Sequence, residues 1–479
     1  MSVLSALEPK SVFRFFEEIC AIPHGSHNTK MISDYLVSFA KARGLKYRQD
    51  DLHNVIIWKE ASPGYENAPA VMLQGHIDMV AEKEVGCAKD MEKEGLDLFI
   101  DGDVIGARQT TLGGDDGIAV AMAMAILDAK DICHPPLECV FTVDEEVGML
   151  GAKELDTSAL RAQYCLNLDS EEEKVLIVSS AGSIREVCTL PIEREAYEGT
   201  VFELKISGLE GGHSGEEIHK GRANANILLG RALYELKKTS EMRLITVRGG
   251  AKDNVIPSAA AALVTLKDAE SAKKAAKKLQ NVLKDEYRAV DGGICLSMEM
   301  TESSLVPMNE RSTRRIISYL FCAPNGVQVM SADVPGLVQT SLNLGWVSTE
   351  DKAVKAGFMV RSSVDSQAAE TADKVMALTA SFGGETEIVA ASYAWQYRPQ
   401  SKLREVMGEA FAVVYREEPT ITALHAGLEC GILLGKMPQL DCISYGPTIT
   451  DIHSPRERLH IASTERTWKL TIETLKRLK

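Results

Sequence analysis

Histidine and acidic side chains follow directly after several apolar runs that are typical of strands. Residues at the carboxyl ends of neighbouring parallel strands line one crevice of an open sheet. The sequence therefore predicts that these side chains converge. They are His76 and Asp78 after residues 70–73, Glu145 and Glu146 after residues 137–142, Asp169 after residues 164–168, and His453 shortly after residues 441–445.

Converging imidazoles and carboxylates are the ligands that a divalent metal site requires. A Leu-Gly-Gly-Asp-Asp-Gly turn adds Asp115 and Asp116 at the start of an apolar helix. Two nitrogens with several oxygens suit zinc, cobalt or manganese better than calcium. Each piece alone has an ordinary explanation, since an Asp pair before a helix is usually an N-cap. The prediction of a metal site therefore depends on the joint placement of the strand-end residues and this turn.

Strands and helices alternate around these residues at both ends of the chain. Helical spacing of apolar residues alternates with short buried strands, which predicts an α/β fold with a mostly parallel sheet sandwiched by helices. Near residue 187 the pattern changes to longer alternating strands with amphipathic helices, and near residue 395 the first pattern returns. We therefore expect one domain formed by residues 1–186 and 395–479, with an α+β domain of residues 187–394 inserted into it. The order of elements recurs after residue 310, so the inserted domain should consist of two similar halves.

Composition excludes several classes of partner. Lys and Arg number 53 against 68 Asp and Glu, which gives a net charge of −15 and a field that repels nucleic acid. The longest apolar run, residues 118–127, is about half of the ~20 residues needed to cross a bilayer, so we expect no membrane partner. The first ten residues lack the charged and apolar pattern of an export signal, which predicts a cytoplasmic protein.

Taken together, the motifs resemble the co-catalytic zinc peptidase family that contains carnosinases, tripeptidase T and carboxypeptidase G. The run His-Ala-Gly-Leu-Glu-Cys-Gly at residues 425–431 resembles the bacterial dipeptidase branch of that family. The likeness covers nearly the whole chain. The motifs that carry it are His76-x-Asp78, Gly-Gly-Asp115-Asp116-Gly, Asp144-Glu145-Glu146-Val-Gly, Asn-Leu-Asp169-Ser-Glu, and Gly-Pro leading to His453-Ser-Pro-Arg-Glu.

The resemblance implies two divalent metal ions, with zinc as the first choice and cobalt or manganese as alternatives. Asp115 would bridge the two ions. His76 and Asp169 would complete one site, and Glu146 and His453 would complete the other.

The resemblance also implies a reaction at this pair of ions. Asp78 would hold the His76 imidazole in its ligating orientation. Two ions ~3.5–4 Å apart share a water molecule, lower its pKa toward ~7 and polarise the scissile carbonyl. Glu145, next to a ligand, would be the general base that takes the proton of that water and passes it to the leaving amine.

The inserted domain contains a second set of familiar residues. Gly-Gly-His213-Ser-Gly resembles the lid segment of the family, whose His contacts the tetrahedral intermediate, so His213 is expected to stabilise the oxyanion. Asn254 and Arg361 resemble its substrate-binding pair. The planar fork of Arg361 matches a free C-terminal carboxylate. His219 and His425 are left without a role, although both are expected to line the cleft.

These implications favour a metallo-dipeptidase that hydrolyses Xaa-His and other short unblocked peptides. A deacylase of N-acyl amino acids or a carboxypeptidase would share the metal residues and differ in the pocket. A non-catalytic scaffold that kept the fold is the third hypothesis, against which the complete ligand set and Glu145 argue. A homodimer is compatible with the sequence but not required, since a doubled lid could place His213 over its own active site, whereas relatives with a single lid borrow this residue from a partner subunit.

Overall fold

The computed structural model describes residues 3–479, and the chain divides into two compact units. Unit 1 comprises Met1–Val178, Tyr397–Ala423 and Ile432–Lys479, and unit 2 comprises Ser179–Gln396 and Leu424–Gly431. Unit 2 is thus inserted into unit 1, with one short segment returning to it near the C-terminus. Among residues 3–479, no helix combines the length and apolar character that crossing a bilayer demands.

The α-helices begin near the N-terminus and recur along the whole chain. A short 3₁₀ turn, Ile218–Lys220, lies between the fourth and fifth of them. The helices are α1 (Lys10–Cys20), α2 (Lys30–Arg43), α3 (Gly114–Asp128), α4 (Leu150–Glu154), α5 (Ala225–Lys237), α6 (Ala269–Glu286), α7 (Glu310–Cys322), α8 (Asp365–Ser381), α9 (Lys402–Tyr415), α10 (Glu429–Lys436) and α11 (Ile461–Arg477).

The strands form two large sheets and two small ones. They are β1 (Lys46–Gln49), β2 (Val55–Lys59), β3 (Val71–His76), β4 (Leu98–Asp101), β5 (Val104–Ala107), β6 (Leu137–Thr142), β7 (Tyr164–Asn167), β8 (Val175–Ser180), β9 (Gly182–Pro191), β10 (Thr200–Ser207), β11 (Gly212–His213), β12 (Met242–Gly249), β13 (Val255–Ile256), β14 (Ala260–Leu266), β15 (Cys295–Met300), β16 (Gly326–Met330), β17 (Val338–Thr349), β18 (Ala353–Ser362), β19 (Glu385–Ser392), β20 (Thr420–Leu424), β21 (Asp441–Ser444), β22 (Ile449–Thr450) and β23 (Arg458–His460).

Unit 1 is built on an eight-stranded sheet in the order β1-β2-β6-β3-β7-β21-β8-β20. Its four central strands, β6, β3, β7 and β21, are parallel, and both β3 and β6 are buried along their whole length. Flanking pairs such as β2 with β6 and β21 with β8 are antiparallel. The α/β prediction is confirmed, with the parallel order confined to the centre of the sheet. The edges could not be distinguished because a short apolar strand gives the same pattern in either direction.

Helix α3 is the central helix of unit 1. Residues 117–127 are apolar or small and buried on every side, and α3 packs between α1 and β3. A helix that is apolar all round must be enclosed by other elements, as the sequence predicted. Its position fixes the turn before it, residues 112–116, against the end of β3.

Unit 2 contains a nine-stranded sheet in which one motif occurs twice. The path β10-α5-β12-β14-α6-β15 gives the strand order β15-β10-β14-β12, and β9-α7-β17-β18-α8-β19 gives the matching order β19-β9-β18-β17. The two halves meet where β12 pairs with β17 at Gly249 and Val347. The predicted duplication is therefore present. The halves are nested, because β9 precedes the whole first half in the chain.

Helix α10 begins within a glycine-containing segment. The two glycines of residues 425–431, Gly427 and Gly431, predict a loop there, whereas α10 begins at Glu429 and contains Gly431. The backbone of Gly431 packs against that of Tyr393, and a Cβ atom there would lie 2.7 Å from the Tyr393 carbonyl oxygen. The glycine thus serves a close approach rather than a turn.

Candidate active site

The carboxyl ends of the central strands of unit 1 carry the predicted residues. His76 is the last residue of β3, and Asp169 comes two residues after β7. Glu145 and Glu146 follow β6, which is the parallel neighbour of β3. Because parallel strands end at one edge of the sheet, these side chains come to the same place.

Asp115 lies between two imidazoles. Its Oδ1 atom is 3.1 Å from Nε2 of His76, and its Oδ2 atom is 3.2 Å from Nε2 of His453. Nε2 of His76 is also 3.9 Å from Asp169 Oδ1, and Nε2 of His453 is 2.9 Å from Glu146 Oε1. The structure therefore brings together all five residues that the resemblance named as metal ligands, with the Asp115 carboxylate at their centre.

The donor atoms suit metal ions. Nδ1 of His76 lies 2.9 Å from the backbone carbonyl of Asp78, so this nitrogen carries the proton and Nε2 keeps its lone pair. That lone pair faces carboxylate oxygens of Asp115 and Asp169, an arrangement that a cation between them would satisfy. Glu146 Oε1 is buried without a hydrogen-bond donor, although it faces His453. This donor set fits the divalent ions that the sequence predicted.

Two further acidic residues lie within reach of the same centre. Asp116 is buried and forms a potential metal-binding group with His76 and Asp169, and Glu171 forms another with Asp115 and Asp169. Asp116 accepts a hydrogen bond from the His76 backbone N–H at 3.2 Å, so it supports the end of β3. Asp116 was predicted among the converging side chains but assigned to neither metal position, and Glu171 belonged to the Asp169 motif without a role of its own.

Asp78 connects a candidate ligand to the predicted base. Its Oδ1 atom accepts a hydrogen bond from the Glu145 backbone N–H at 3.1 Å and lies 3.6 Å from Nδ1 of His76. Its Oδ2 atom accepts a hydrogen bond from the Ser26 hydroxyl at 2.8 Å. Asp78 is buried, and Glu145 itself is half-buried. Ser26 was missed because nothing in its local sequence marks it as a partner of Asp78.

Burial and neighbouring charges have opposite effects on the pKa values of the residues around Asp115. Burial alone would raise the pKa of Asp115, but hydrogen bonds with His453 and His76 hold it below its usual value. Burial raises the pKa of Asp169 and of Asp116. Burial would lower the pKa of His76, but hydrogen bonds with Asp115 and Asp78 raise it. Such opposed shifts among buried groups are typical of functional sites.

The turn that carries Asp115 is held by a residue from the far end of the chain. Glu457 is only 2% exposed, and its carboxylate accepts hydrogen bonds from the backbone N–H groups of Leu112, Gly113, Gly114 and Asp115. Asp115 and Asp116 have non-helical backbone angles, and the peptide bond between them is cis. Glu457 belongs to the His453 motif of the sequence, but nothing in that motif indicates its role in holding the turn.

Unit 2 brings its own predicted residues together. Val255, which follows Asn254, pairs with His213 between β11 and β13, and the Asn254 carbonyl accepts a hydrogen bond from the Ser214 N–H at 2.9 Å. One guanidinium nitrogen of Arg361 lies 3.5 Å from Nε2 of His213. His213 is half-buried, and Arg361 is 8% exposed. A cationic group and an imidazole thus share one location in unit 2.

His425 belongs to the segment Leu424–Gly431 of unit 2 and is close enough to Arg361 for that charge to lower the pKa of its imidazole. Its Nε2 atom lies 2.7 Å from the hydroxyl of Ser341. The sequence placed His425 near the cleft without a role and did not single out Ser341. Only the cross-strand register of β17 and β18, which pairs Ser341 with Arg361, reveals this contact.

The known proteins to which this chain is similar include peptidases. A family model described as the peptidase dimerisation domain matches residues 204–291. The cytosol non-specific dipeptidase of Escherichia coli K12 is 36% identical over 482 aligned residues, which cover 100% of this chain and 99% of that protein. The aminoacylhistidine dipeptidase of Vibrio alginolyticus is also 36% identical and superposes with a TM-score of 0.93, covering 99% of this chain and 97% of that one.

A more distant structure shares the fold. The aminopeptidase PepT of Bacillus cereus is 14% identical with a TM-score of 0.56, covering 98% of this chain and 99% of that one. Fold and clustered residues together define a peptidase with candidate metal ligands at the strand ends of its parallel sheet. The chain belongs to the M20 family of peptidases, and the resemblance inferred from its motifs is confirmed.

Proposed function

We propose that this chain is a metal-dependent dipeptidase that hydrolyses the peptide bond of Xaa-His and other short unblocked peptides. The central observation is Asp115, whose two carboxylate oxygens each face the Nε2 atom of a different histidine. The names of the two full-length relatives, a cytosol non-specific dipeptidase and an aminoacylhistidine dipeptidase, support the substrate class.

Two divalent ions would be held by the five residues around Asp115. Asp115 would contribute to both sites, His76 and Asp169 to one, and Glu146 and His453 to the other. Bound ions of this kind polarise a scissile carbonyl and lower the pKa of a water molecule. Zinc is our first choice because two imidazoles and several carboxylates suit it, with cobalt and manganese as alternatives.

Glu145 is the proposed general base. Its backbone is fixed by the hydrogen bond from its N–H to Asp78, which also lies beside the His76 ring. The Glu145 carboxylate takes a proton from the attacking water and delivers it to the leaving amine. Asp78 thereby couples the orientation of a metal ligand to the position of the base.

The proposed substrate-binding residues belong to unit 2. His213 donates a hydrogen bond to the developing oxyanion, and Arg361 pairs with the free C-terminal carboxylate of the peptide. Asn254, beside the His213 strand pair, binds the substrate together with Arg361. Roles as lid and catalytic domain are proposed for the inserted residues 187–394 and for residues 1–186 and 395–479, respectively.

We also propose that the protein forms a homodimer and is located in the cytoplasm. The match to a peptidase dimerisation domain supports self-association, and the E. coli relative is named as a cytosol protein. The edge strand β12 of the matched half is already paired with β17 of the same chain. A dimer would therefore use another surface and would not be needed to complete the sheet.

Turnover of a small substrate panel tests the proposal directly. Purified protein should hydrolyse dipeptides, including one with C-terminal histidine, lose activity on chelation and regain it with zinc. N-acetyl amino acids should be poor substrates, which separates the dipeptidase from a deacylase. Failure to cleave any unblocked dipeptide with two metal equivalents bound would refute the proposal, and cleavage of blocked amino acids alone would favour the deacylase.

A further inference from the structure

A buried polar cluster in unit 2 contains two donors that the protein leaves without acceptors. We call Arg361, His425, Ser341, His213 and Gly215 the Arg361 cluster. Ser341 on β17 is the cross-strand partner of Arg361 on β18. Nε of Arg361 and Nδ1 of His425 are both buried without a hydrogen-bond partner. A buried donor without an acceptor destabilises the fold, so two such donors in one cluster indicate an acceptor supplied from outside the chain.

The His425 ring is fixed from one side only. The side chain is 6% exposed, and its Nε2 atom lies 2.7 Å from Ser341 Oγ. When the Ser341 hydroxyl donates to Nε2, the ring proton stays on Nδ1, which then becomes a donor with no acceptor in the protein. The contact with Ser341 therefore orients the free donor of His425.

Gly215 packs closely against the Arg361 cluster. A Cβ atom at this position would clash with the His425 carbonyl oxygen and would lie 3.1 Å from both Arg361 Nε and His213 Cε1. The absence of a side chain therefore permits the close approach of the Gly215 backbone to His425 and leaves Arg361 Nε uncrowded from this side.

The charge of the Arg361 cluster indicates the charge of its ligand. Burial first, and then the charge of Arg361, lower the pKa of His425 to about 3, so the imidazole is neutral near neutral pH. Burial lowers the pKa of Arg361 only to about 10, so the guanidinium stays charged. Within residues 3–479 no carboxylate forms an ion pair with Arg361, whereas the neighbouring Arg185 pairs with Asp253 at 3.3 Å. One cation beside neutral donors fits a single anionic group.

We propose that His425 is a substrate-binding residue whose Nδ1–H donates a hydrogen bond to the C-terminal carboxylate of the peptide, beside the ion pair of that carboxylate with Arg361. Ser341 is a positioning residue that fixes the ring through Nε2. The inference rests on the proposed dipeptidase function and assigns to that substrate a second recognition contact. A neutral imidazole suits this task, because a second buried cation would add a desolvation cost.

The test compares KM for a dipeptide and for its C-terminal amide. His425→Ala should raise KM for the dipeptide roughly 10- to 100-fold, because a hydrogen bond to a charged acceptor is lost. The amide lacks the negative charge, so its KM should change less than about 3-fold. The value of kcat for the dipeptide should stay nearly constant, since the contact exists in the ground state and in the transition state alike.

Further variants distinguish a role of His425 in substrate binding from a purely structural role. His425→Asn places an amide nitrogen near the position of Nδ1 and should recover much of the dipeptide affinity, whereas His425→Gln places it near Nε2 and should not. Ser341→Ala should raise the dipeptide KM less than His425→Ala does. The control is Ser348→Ala on the same strand, where Ser348 pairs with Lys355 rather than with Arg361. That control should leave KM unchanged for both substrates.

Each result of these measurements either supports or contradicts the proposed role of His425. Selective loss of dipeptide affinity with recovery by His425→Asn supports it. Equal KM changes for dipeptide and amide, or a fall in kcat with constant KM, would overturn it and make His425 a structural or a reacting group. An unfolded His425→Ala leaves the decision to the Asn and Gln pair. If the wild-type protein cleaves no dipeptide, the proposed function fails instead, and this failure is seen before any variant is measured.

Discussion

Glu457 holds the backbone on which Asp115 stands. One oxygen of its buried carboxylate accepts hydrogen bonds from the N–H groups of Gly114 at 2.8 Å and of Asp115 at 3.4 Å. The other accepts from Leu112 at 2.8 Å and Gly113 at 3.1 Å. Glu457 follows the candidate ligand His453 by four residues, so one segment carries a ligand and also supports the turn of another.

Replacing Glu457 by Gln should weaken both metal binding and the stability of the fold. The amide has one acceptor oxygen where the carboxylate has two, so some turn N–H groups lose their partner, at a cost of about 1–3 kcal/mol in the free energy of unfolding. Metal affinity should fall roughly 10- to 100-fold, as is typical when a ligand loses its support. Chelator competition with zinc, together with the melting temperature of the metal-free protein, measures both effects.

The matched control for this variant is Glu465→Gln. Glu465 lies exposed on α11, where it pairs with Lys469. This change should alter neither zinc affinity nor melting temperature appreciably, since exposed ion pairs contribute little. Unchanged zinc affinity in Glu457→Gln would show that the turn keeps Asp115 in place without the carboxylate.

Glu145→Gln should separate metal binding from turnover. The backbone N–H that donates to Asp78 is retained, and the five candidate ligands are untouched. Two equivalents of zinc should still bind, while kcat for a dipeptide should fall by roughly 10²- to 10⁴-fold because the amide cannot accept the proton. Metal analysis and steady-state kinetics on the same preparation check this. Glu154→Gln, an exposed change at the end of α4, should behave as wild type. A fully active Glu145→Gln would rule out the base assignment.

Arg361→Ala should impair the recognition of free C-terminal carboxylates. Loss of a buried charge pair with the substrate costs about 2 kcal/mol or more, which corresponds to a rise of roughly 30-fold or more in KM for dipeptides. The KM of a C-terminally amidated analogue should change much less. Arg248→Ala is the control, since Arg248 is 74% exposed and pairs with Glu203 at 3.0 Å. Equal changes for the free and the amidated substrate would contradict the assignment.

The strand-end residues could be predicted because their signal is local. Apolar runs end abruptly at His76, Glu145 and Asp169, and parallel neighbours must end together, so pattern and topology gave the same answer. The helix after Asp115 was equally visible, since a run that is apolar on all sides must be central. These signals depend on residues close in sequence, as do the alternating strands of unit 2.

Contacts that depend on register or on distant backbone groups left no such signal. Glu457 acts on N–H groups up to 345 residues earlier, and every residue has an N–H. Ser341 meets His425 across 84 residues through the pairing of β17 with β18. Ser26 reaches Asp78 from a loop. In each case the partner is decided by the tertiary fold, which a single sequence does not encode as a pattern.

Glu186 should make the stability of the protein depend on pH. Its carboxylate lies on β9, is 1% exposed, and both oxygens lack hydrogen-bond partners. Burial, and then the charge of Asp373 on α8, raise the pKa of Glu186 to about 7. The ionisable groups that interact electrostatically with Glu186 are Asp373 and Tyr319 on α7. No cation among these groups offsets a negative charge on Glu186.

The direction of this pH dependence follows from the number of protons that the folded and the unfolded states bind. Between the ordinary glutamate pKa, near 4.3, and about 7, the folded state holds a proton on Glu186 that the unfolded state has released, so stability falls as the pH rises. Glu186→Gln removes this loss. It should therefore be more stable than wild type at pH 8 by about 1–3 kcal/mol and nearly equal to it at pH 5. Melting temperatures of both proteins at the two pH values measure this difference. The exposed change Glu370→Gln on α8 should show no such pH-dependent gain, and an equal effect of Glu186→Gln at both pH values would show that Glu186 does not titrate in this range.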